Sequence, residues 1–222
     1  KILTKKSHLK RSILLIAFDA EEKGLLGSKY FIEHPTISLD KIVTMINLDM
    51  IGRLKDSTLT VGGVGTSPVF EPLLDSLALK TSMKLNKTDS GWGPSDHASF
   101  YKKNIPVLFF STGAHEQYHT PKDKWRLINL RGETEILNYV HNIIYELCRV
   151  SKKPKYTPAG PKEQTRTYLN TTVRFGIMPS YGGSGLGLKV DGISDPDGPA
   201  AKAGIKSGDL IKSINGKSTN NI

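Results

Sequence analysis

The sequence predicts an α/β protein: a three-layer mixed sheet with helices on both faces, followed by a small β-rich unit. Three observations carry this expectation. Continuous apolar runs at residues 13–18 (ILLIAF) and 105–112 (IPVLFFST) have the composition of strands covered on both sides. Segments of helical periodicity separate such runs, which is the alternation of an α/β sheet. Beyond residue 170 the pattern changes to short β segments broken by glycine turns. The expected organisation is an α/β domain over 1–150, a linker over 151–170 and a β-rich domain over 171–222.

In order along the chain, residues 13–18 read as a first strand, ending in Asp19-Ala20 and then two adjacent acids, Glu21 and Glu22. Residues 25–34 have apolar side chains near helical spacing, and Pro35 stops them. Residues 41–51 (KIVTMINLDMI) are β-branched at their start and read as a strand that ends at Asp49. A short strand at 58–61 closes in Gly62-Gly63. Ser67 reads as an N-cap with Pro68 at the first helical position, for a helix to about residue 83. Residues 87–94 read as a loop. Ser95-Asp96-His97 opens another helix, to about Tyr101. The strand at 105–112 is followed by Gly113, His115, Tyr118 and His119. A long amphipathic helix over 129–150 puts Ile136, Val140, Ile143, Ile144 and Leu147 on one face.

Residues 151–166 hold three prolines and five Lys/Arg and read as a linker or an extended wrap. After them come β segments at 172–178, 186–193 and 209–214. A short helix fits 198–204, and Asn215-Gly216 is a hairpin turn.

Composition narrows the function. The 222 residues are 37% hydrophobic and 23% charged, an ordinary globular balance. No apolar run approaches the roughly 20 residues of a membrane span. The formal net charge is +10, and residues 1–11 and 151–166 together carry +9 of it. Both segments flank predicted structure and carry no aromatic-rich basic motif, which argues against a nucleic-acid groove. The single cysteine, Cys148, rules out an internal disulfide and reads as a core thiol. The chain opens on Lys1 and almost inside its first strand, which suggests a piece of a longer protein.

Acids at a helix start can simply complement the dipole. Here, however, Glu21, Glu22, Asp49 and His119 each follow an expected strand. Strand C-terminal ends of a parallel sheet share one edge, so these side chains can converge. Carboxylate and imidazole together suit zinc, and a neighbouring carboxylate can serve as general base.

FDAEEKGLLGSKYF, INLDMIG and SDHASFYKKNIPVLFFSTGAHEQYHTPKD together resemble the catalytic half of the zinc-dependent aminopeptidases with two co-catalytic metals, over roughly residues 12–149. The resemblance implies a zinc-peptidase-like sheet and hydrolysis of N-terminal peptide bonds through a zinc-activated water. It implies Glu21 as general base, Glu22 and Asp49 as ligands of the two zincs, and His119 as the final ligand. Tyr118 matches a donor to the oxyanion. Asp123 is expected to support that geometry, and Asp96 and His97 to be structural or substrate-facing. The family carries two further ligands upstream, a His and a bridging Asp. Only His8 stands there, outside the expected context. The resemblance therefore implies two zincs in the complete enzyme and one or none in this chain, with little activity of its own.

Ser184-Gly185-Leu186-Gly187-Leu188 and residues 198–217 resemble a PDZ domain that stops before its closing helix. This implies a peptide C-terminus bound at Gly185, Leu186, Gly187 and Leu188, with the peptide added to the sheet edge. The same glycines can also serve only a tight turn. Peptides or proteins are the expected substrates, with no nucleic-acid partner and no membrane span in this chain. An extracytoplasmic location follows from family resemblance alone. Two alternatives stay open: a glutaminyl-cyclase-like acyltransferase reusing Glu22 and His119, and an inactive scaffold that binds peptide tails.

Overall fold

A computed structural model describes residues 9–162, 175–179, 187–193 and 195–219. The main sheet has four strands: β1 (Met45–Leu48), β2 (Thr58–Gly62), β3 (Lys84–Lys87) and β4 (Val107–Ser111), in the order β1-β4-β2-β3. β1 runs parallel to β4 and β2 parallel to β3, whereas β2 and β4 are antiparallel. The sheet is therefore mixed, as expected, and its strand ends do not all share one edge.

Every residue of β4 is buried, because strands flank it on both sides and helices cover both faces. Leu108 and Phe110 point into one core with Leu59 and Val61 of β2. That core also holds α2 (Phe70–Ala78) and α4 (Leu130–Arg149), through Phe70, Leu74, Ile136, Val140 and Ile143. Val107 points the other way, toward Ile32 of α1 (Leu26–Glu33) and Phe100 and Tyr101 of α3 (His97–Tyr101). The helix at 129–150 stands as expected, with Cys148 buried in it. Asn129 caps it: its Oδ1 accepts from the Gly132 N–H and its Nδ2 donates to the Leu54 carbonyl.

Three expectations for the α/β domain are corrected. Residues 13–18 are not a strand. A strand exists through its ladder, and no described strand pairs with this run. It is anchored instead at its ends, by Lys10 N–H to the Cys148 carbonyl and by Phe18 packed on Phe31 and Phe100. Leu15 is 87% exposed, so the run is not covered on both faces. Second, the helix expected from Ser67 to about residue 83 covers only Phe70–Ala78. Ser67 is extended, and its buried hydroxyl finds no partner. At the other end Thr81 accepts from the Met83 N–H and donates to the Ala78 carbonyl. That local bonding competes with helix and turns the chain into β3. Third, Lys87 belongs to β3, a strand whose polar sequence (KLNK) carried no apolar alternation to reveal it.

Residues 151–162 lie along the α/β domain. The Thr157 N–H donates to the Thr66 carbonyl, and the Gly91 N–H to the Ala159 carbonyl. The Tyr101 hydroxyl lies 2.7 and 2.9 Å from the carbonyl oxygens of Ala159 and Gly160. The Ala159 N–H donates back to it.

The second unit holds β5 (Ile177–Pro179), β6 (Leu188–Ile193) and β7 (Leu210–Ile211) in one antiparallel order, with the short α5 (Pro199–Lys202). The stretch expected as one strand over 209–214 is divided. β7 pairs with β6, while β8 (Ser213–Ile214) forms a hairpin with β9 (Lys217–Ser218) across Asn215-Gly216. Gly185 and Leu186 of the expected peptide loop lie outside the described residues. Gly187 has φ +147°, and a Cβ there would meet the Ile211 carbonyl oxygen at 2.7 Å. Glycine is required at 187 by packing, whatever the loop binds. Leu188 opens β6.

Candidate metal centre

Three short segments carry the candidate residues. Glu21 and Glu22 begin a 3-10 turn (Glu21–Lys23). Ala20 enters it at φ 54° and Gly24 leaves it at φ 102°. Gly27 packs so tightly on this turn that a Cβ would stand 2.5 Å from the Asp19 carbonyl oxygen. Asp49 is the residue after β1, held by its N–H to the Phe110 carbonyl. Tyr118 and His119 sit in a chain of turns after β4, in which Tyr118 N–H bonds to His115, Thr120 N–H to Gln117 and Asp123 N–H to Thr120.

The decisive contact is His119 Nε2 to Glu22 Oε1, 2.8 Å, across 97 residues of sequence. Both side chains are exposed, 53% and 69%. An exposed pair of this kind adds little stability, so stability does not account for the meeting. The Tyr118 ring stacks on the His119 ring at 3.7 Å. His119 takes φ +55°, a left-handed conformation uncommon for a residue with a Cβ, inside the turn closed by the Thr120 N–H to the Gln117 carbonyl.

Glu21 feels the other carboxylates. Partial burial, then Asp49, Glu22 and Asp96, push its carboxyl up to about 7, while His119 pulls it down. Asp96 is buried and raised in turn, by desolvation first and by Asp49. Its Oδ1 has no hydrogen-bond partner. His97 points into the core, stacked on Phe109 at 4.5 Å, with Asn47 Nδ2 3.4 Å from its Nδ1. Burial pushes it down to about 3, so it is neutral. Among the described residues, no hydrogen bond or ion pair joins Asp123 to His119. Asp123 pairs with Arg53 Nη1 at 3.2 Å, and its other oxygen is 3.5 Å from His115 Nε2. Glu22, Met50, Arg53, Tyr118, His119 and Trp125 help line an open cleft of about 690 Å³.

An imidazole nitrogen and a carboxylate oxygen meeting at one point are zinc donors in kind. Glu22 and His119 thus fit zinc in chemistry, with Glu21 and Asp49 close enough to be felt electrostatically. Among the described residues, no group of three or more His, Cys, Asp or Glu is gathered to hold a metal. Sequence reading missed Arg53, Gln117 and Asn47. Arg53 stands directly after INLDMIG, but its partners are 64 and 70 residues away and nothing in the spacing reveals them.

Fold and site together define a peptidase-type α/β domain carrying a small PDZ-like sheet. The chain belongs to peptidase family M28, whose model matches residues 1–144, and a PDZ domain model matches residues 194–222. The aminopeptidase YwaD of Bacillus subtilis is 32% identical over 155 residues, covering 65% of this chain and 34% of YwaD. Leupeptin-inactivating enzyme 1 of Streptomyces exfoliatus is 34% identical over 97 residues, covering 43% of this chain and 21% of that enzyme. Among solved structures, the LapA aminopeptidase of Legionella pneumophila superposes with a TM-score of 0.59 at 28% identity, over 68% of this chain and 43% of LapA. The zinc aminopeptidase BSAP of Bacillus subtilis gives 0.53 at 30% identity, over 67% of this chain and 38% of BSAP. The chain spans about a third or less of the length of these curated relatives.

Proposed function

We propose that this chain carries part of the active site of a zinc-dependent aminopeptidase that hydrolyses N-terminal peptide bonds of peptides or proteins. The observation that carries the reading is the 2.8 Å meeting of Glu22 and His119, from opposite ends of the family match. Membership of family M28 and the likeness to a zinc aminopeptidase support it.

Glu22, Asp49 and His119 would hold zinc, with two ions in the complete enzyme. When bound, zinc supplies a Lewis acid that polarises the scissile carbonyl and acidifies a water. Glu21 accepts the proton of the attacking water and returns it to the leaving amine. Its raised carboxyl suits both halves of that exchange. Tyr118, fixed by its stack on His119, donates its hydroxyl to the oxyanion. Asp96 and His97 shape the buried side of the site, and Asp123 braces the turns that carry His119. The described donors at the meeting point number two, so zinc held by this chain's residues alone is expected to be weak. The PDZ-like unit would take a peptide C-terminus. We place the protein outside the cytoplasm on family resemblance.

The test is Glu21→Gln in the full-length protein. Turnover of aminoacyl substrates should fall about 10²–10⁴-fold with zinc content unchanged. Near-normal hydrolysis by that variant would falsify the role of Glu21. Absence of stoichiometric zinc from the parent protein would point instead to a scaffold.

A further inference from the structure

We propose that Arg53 is a positioning residue for His119 and Tyr118, gripping from both sides the loop that presents them. The inference rests on the reading that His119 holds zinc.

Arg53 Nη2 donates to Gln117 Oε1 at 2.5 Å, and Nη1 lies 3.2 Å from Asp123 Oδ1. The gripped residues stand two before and four after His119. Asp123 reaches back with its second oxygen to His115 Nε2 at 3.5 Å, so the guanidinium ties Gln117 and Asp123 and, through Asp123, bears on His115. The anchor itself is firm. Arg53 lies four residues past Asp49, and its side chain is only 18% exposed. Its neighbour Gly52 is tied by its carbonyl to the Asn129 N–H at the start of α4. Arg53 thereby fastens the segment that carries Asp49 to the segment that carries His119.

Local turn bonds shape this loop, the Thr120 N–H to the Gln117 carbonyl across Tyr118 and His119 among them. It is built from turns without a strand ladder, yet His119 is kept at φ +55°. Such a conformation costs on the order of 1–3 kcal/mol and persists where the surroundings over-determine it. A planar fork that serves two acceptors at once adds a constraint from outside the turns. An ammonium reaches one acceptor well and the pair poorly. The Arg53–Asp123 pair is partly exposed on the Asp123 side, where ion pairs add little to global stability. Its consequence is therefore geometric.

The experiment compares Arg53→Gln, Arg53→Lys and His119→Ala in the full-length protein. Zinc affinity is measured by chelator competition, and amide exchange over residues 115–123 and Tm on the metal-free form. Removing such a supporting group typically weakens a metal about 10–100-fold. R53Q should do so, and should speed exchange across 115–123 while Tm shifts by no more than about 4 °C. R53K should fall between R53Q and the parent. Adding D123N to R53Q should cost little more, because the two act through one contact. If H119A loses zinc while R53Q binds it as the parent does, Arg53 is not a positioning residue. A large Tm loss with parental affinity in the folded fraction makes it structural only, which also overturns the proposal. Should H119A retain parental affinity, the zinc reading of His119 fails, and with it the role of Arg53 in zinc binding. Loop exchange in R53Q then reports only whether the grip exists.

Discussion

His97 shows how one side chain is set by its surroundings. It stands beside the candidate acids in sequence, yet its ring is stacked on Phe109 and fully buried. Its folded pKa lies below its unfolded one, so its neutral form is stabilising above about 6.5 and that contribution is lost as pH falls toward about 3. Glu21 works in the opposite sense. Its raised carboxyl takes a proton on the native side near pH 7, before the unfolded chain does near 4.5. Between about 4.5 and 6.5 the native Glu21 proton and the unfolded His97 proton nearly cancel. Acid destabilisation of the metal-free protein from this pair should therefore begin below about pH 4.5. His97→Gln removes one side of the balance. Its Tm relative to the parent should rise as pH falls from 6.5 toward 3, and a pH-independent difference would rule out burial of a neutral imidazole. Glu21 and Glu22 were legible as a pair because they are adjacent. Arg53 was not, because its partners are distant in sequence.

At the scale of elements, α4 was fully legible. Its apolar face repeats at helical spacing, and Asn129 at its start is a cap residue by type. Asn129→Ala should cost about 0.5–2 kcal/mol, read as a lower denaturant midpoint at unchanged slope. The run at 13–18 was misread because composition reports what a segment could bury, not whether a partner strand lies beside it. β3 was missed for the converse reason. Its sequence is polar, and pairing with β2 makes it a strand. In the second unit, Gly187→Ala should destabilise the β6–β7 contact, since the new Cβ has only 2.7 Å to a carbonyl oxygen. Faster amide exchange at Val190, whose N–H donates to Asp209, would report it.

At the scale of the molecule, residues 151–162 decide how much of the chain the α/β domain needs. A chain cut after 162 should melt at the parental α/β transition. One cut after 150 loses the Thr157 N–H bond to the Thr66 carbonyl, the Ala159 N–H bond to the Tyr101 oxygen, and the bond the Tyr101 hydroxyl donates to the carbonyls of Ala159 and Gly160, each worth about 1 kcal/mol. A matched loss in Tm distinguishes a wrap that belongs to the domain from a passive connection, for which both cuts would melt alike.

The sequence by itself determined the layered α/β class and the long amphipathic helix, and it singled out Glu21, Glu22, Asp49 and His119 as candidates by residue type and position. Those follow from periodicity and residue type, which are local. Tertiary structure alone decided that β2 runs against β4, that Glu22 meets His119, that His97 turns inward, and that Arg53 spans to Gln117 and Asp123. The physical reason is the same in each case. These are contacts between residues tens of positions apart, and pairing, burial and charge act through space rather than along the chain.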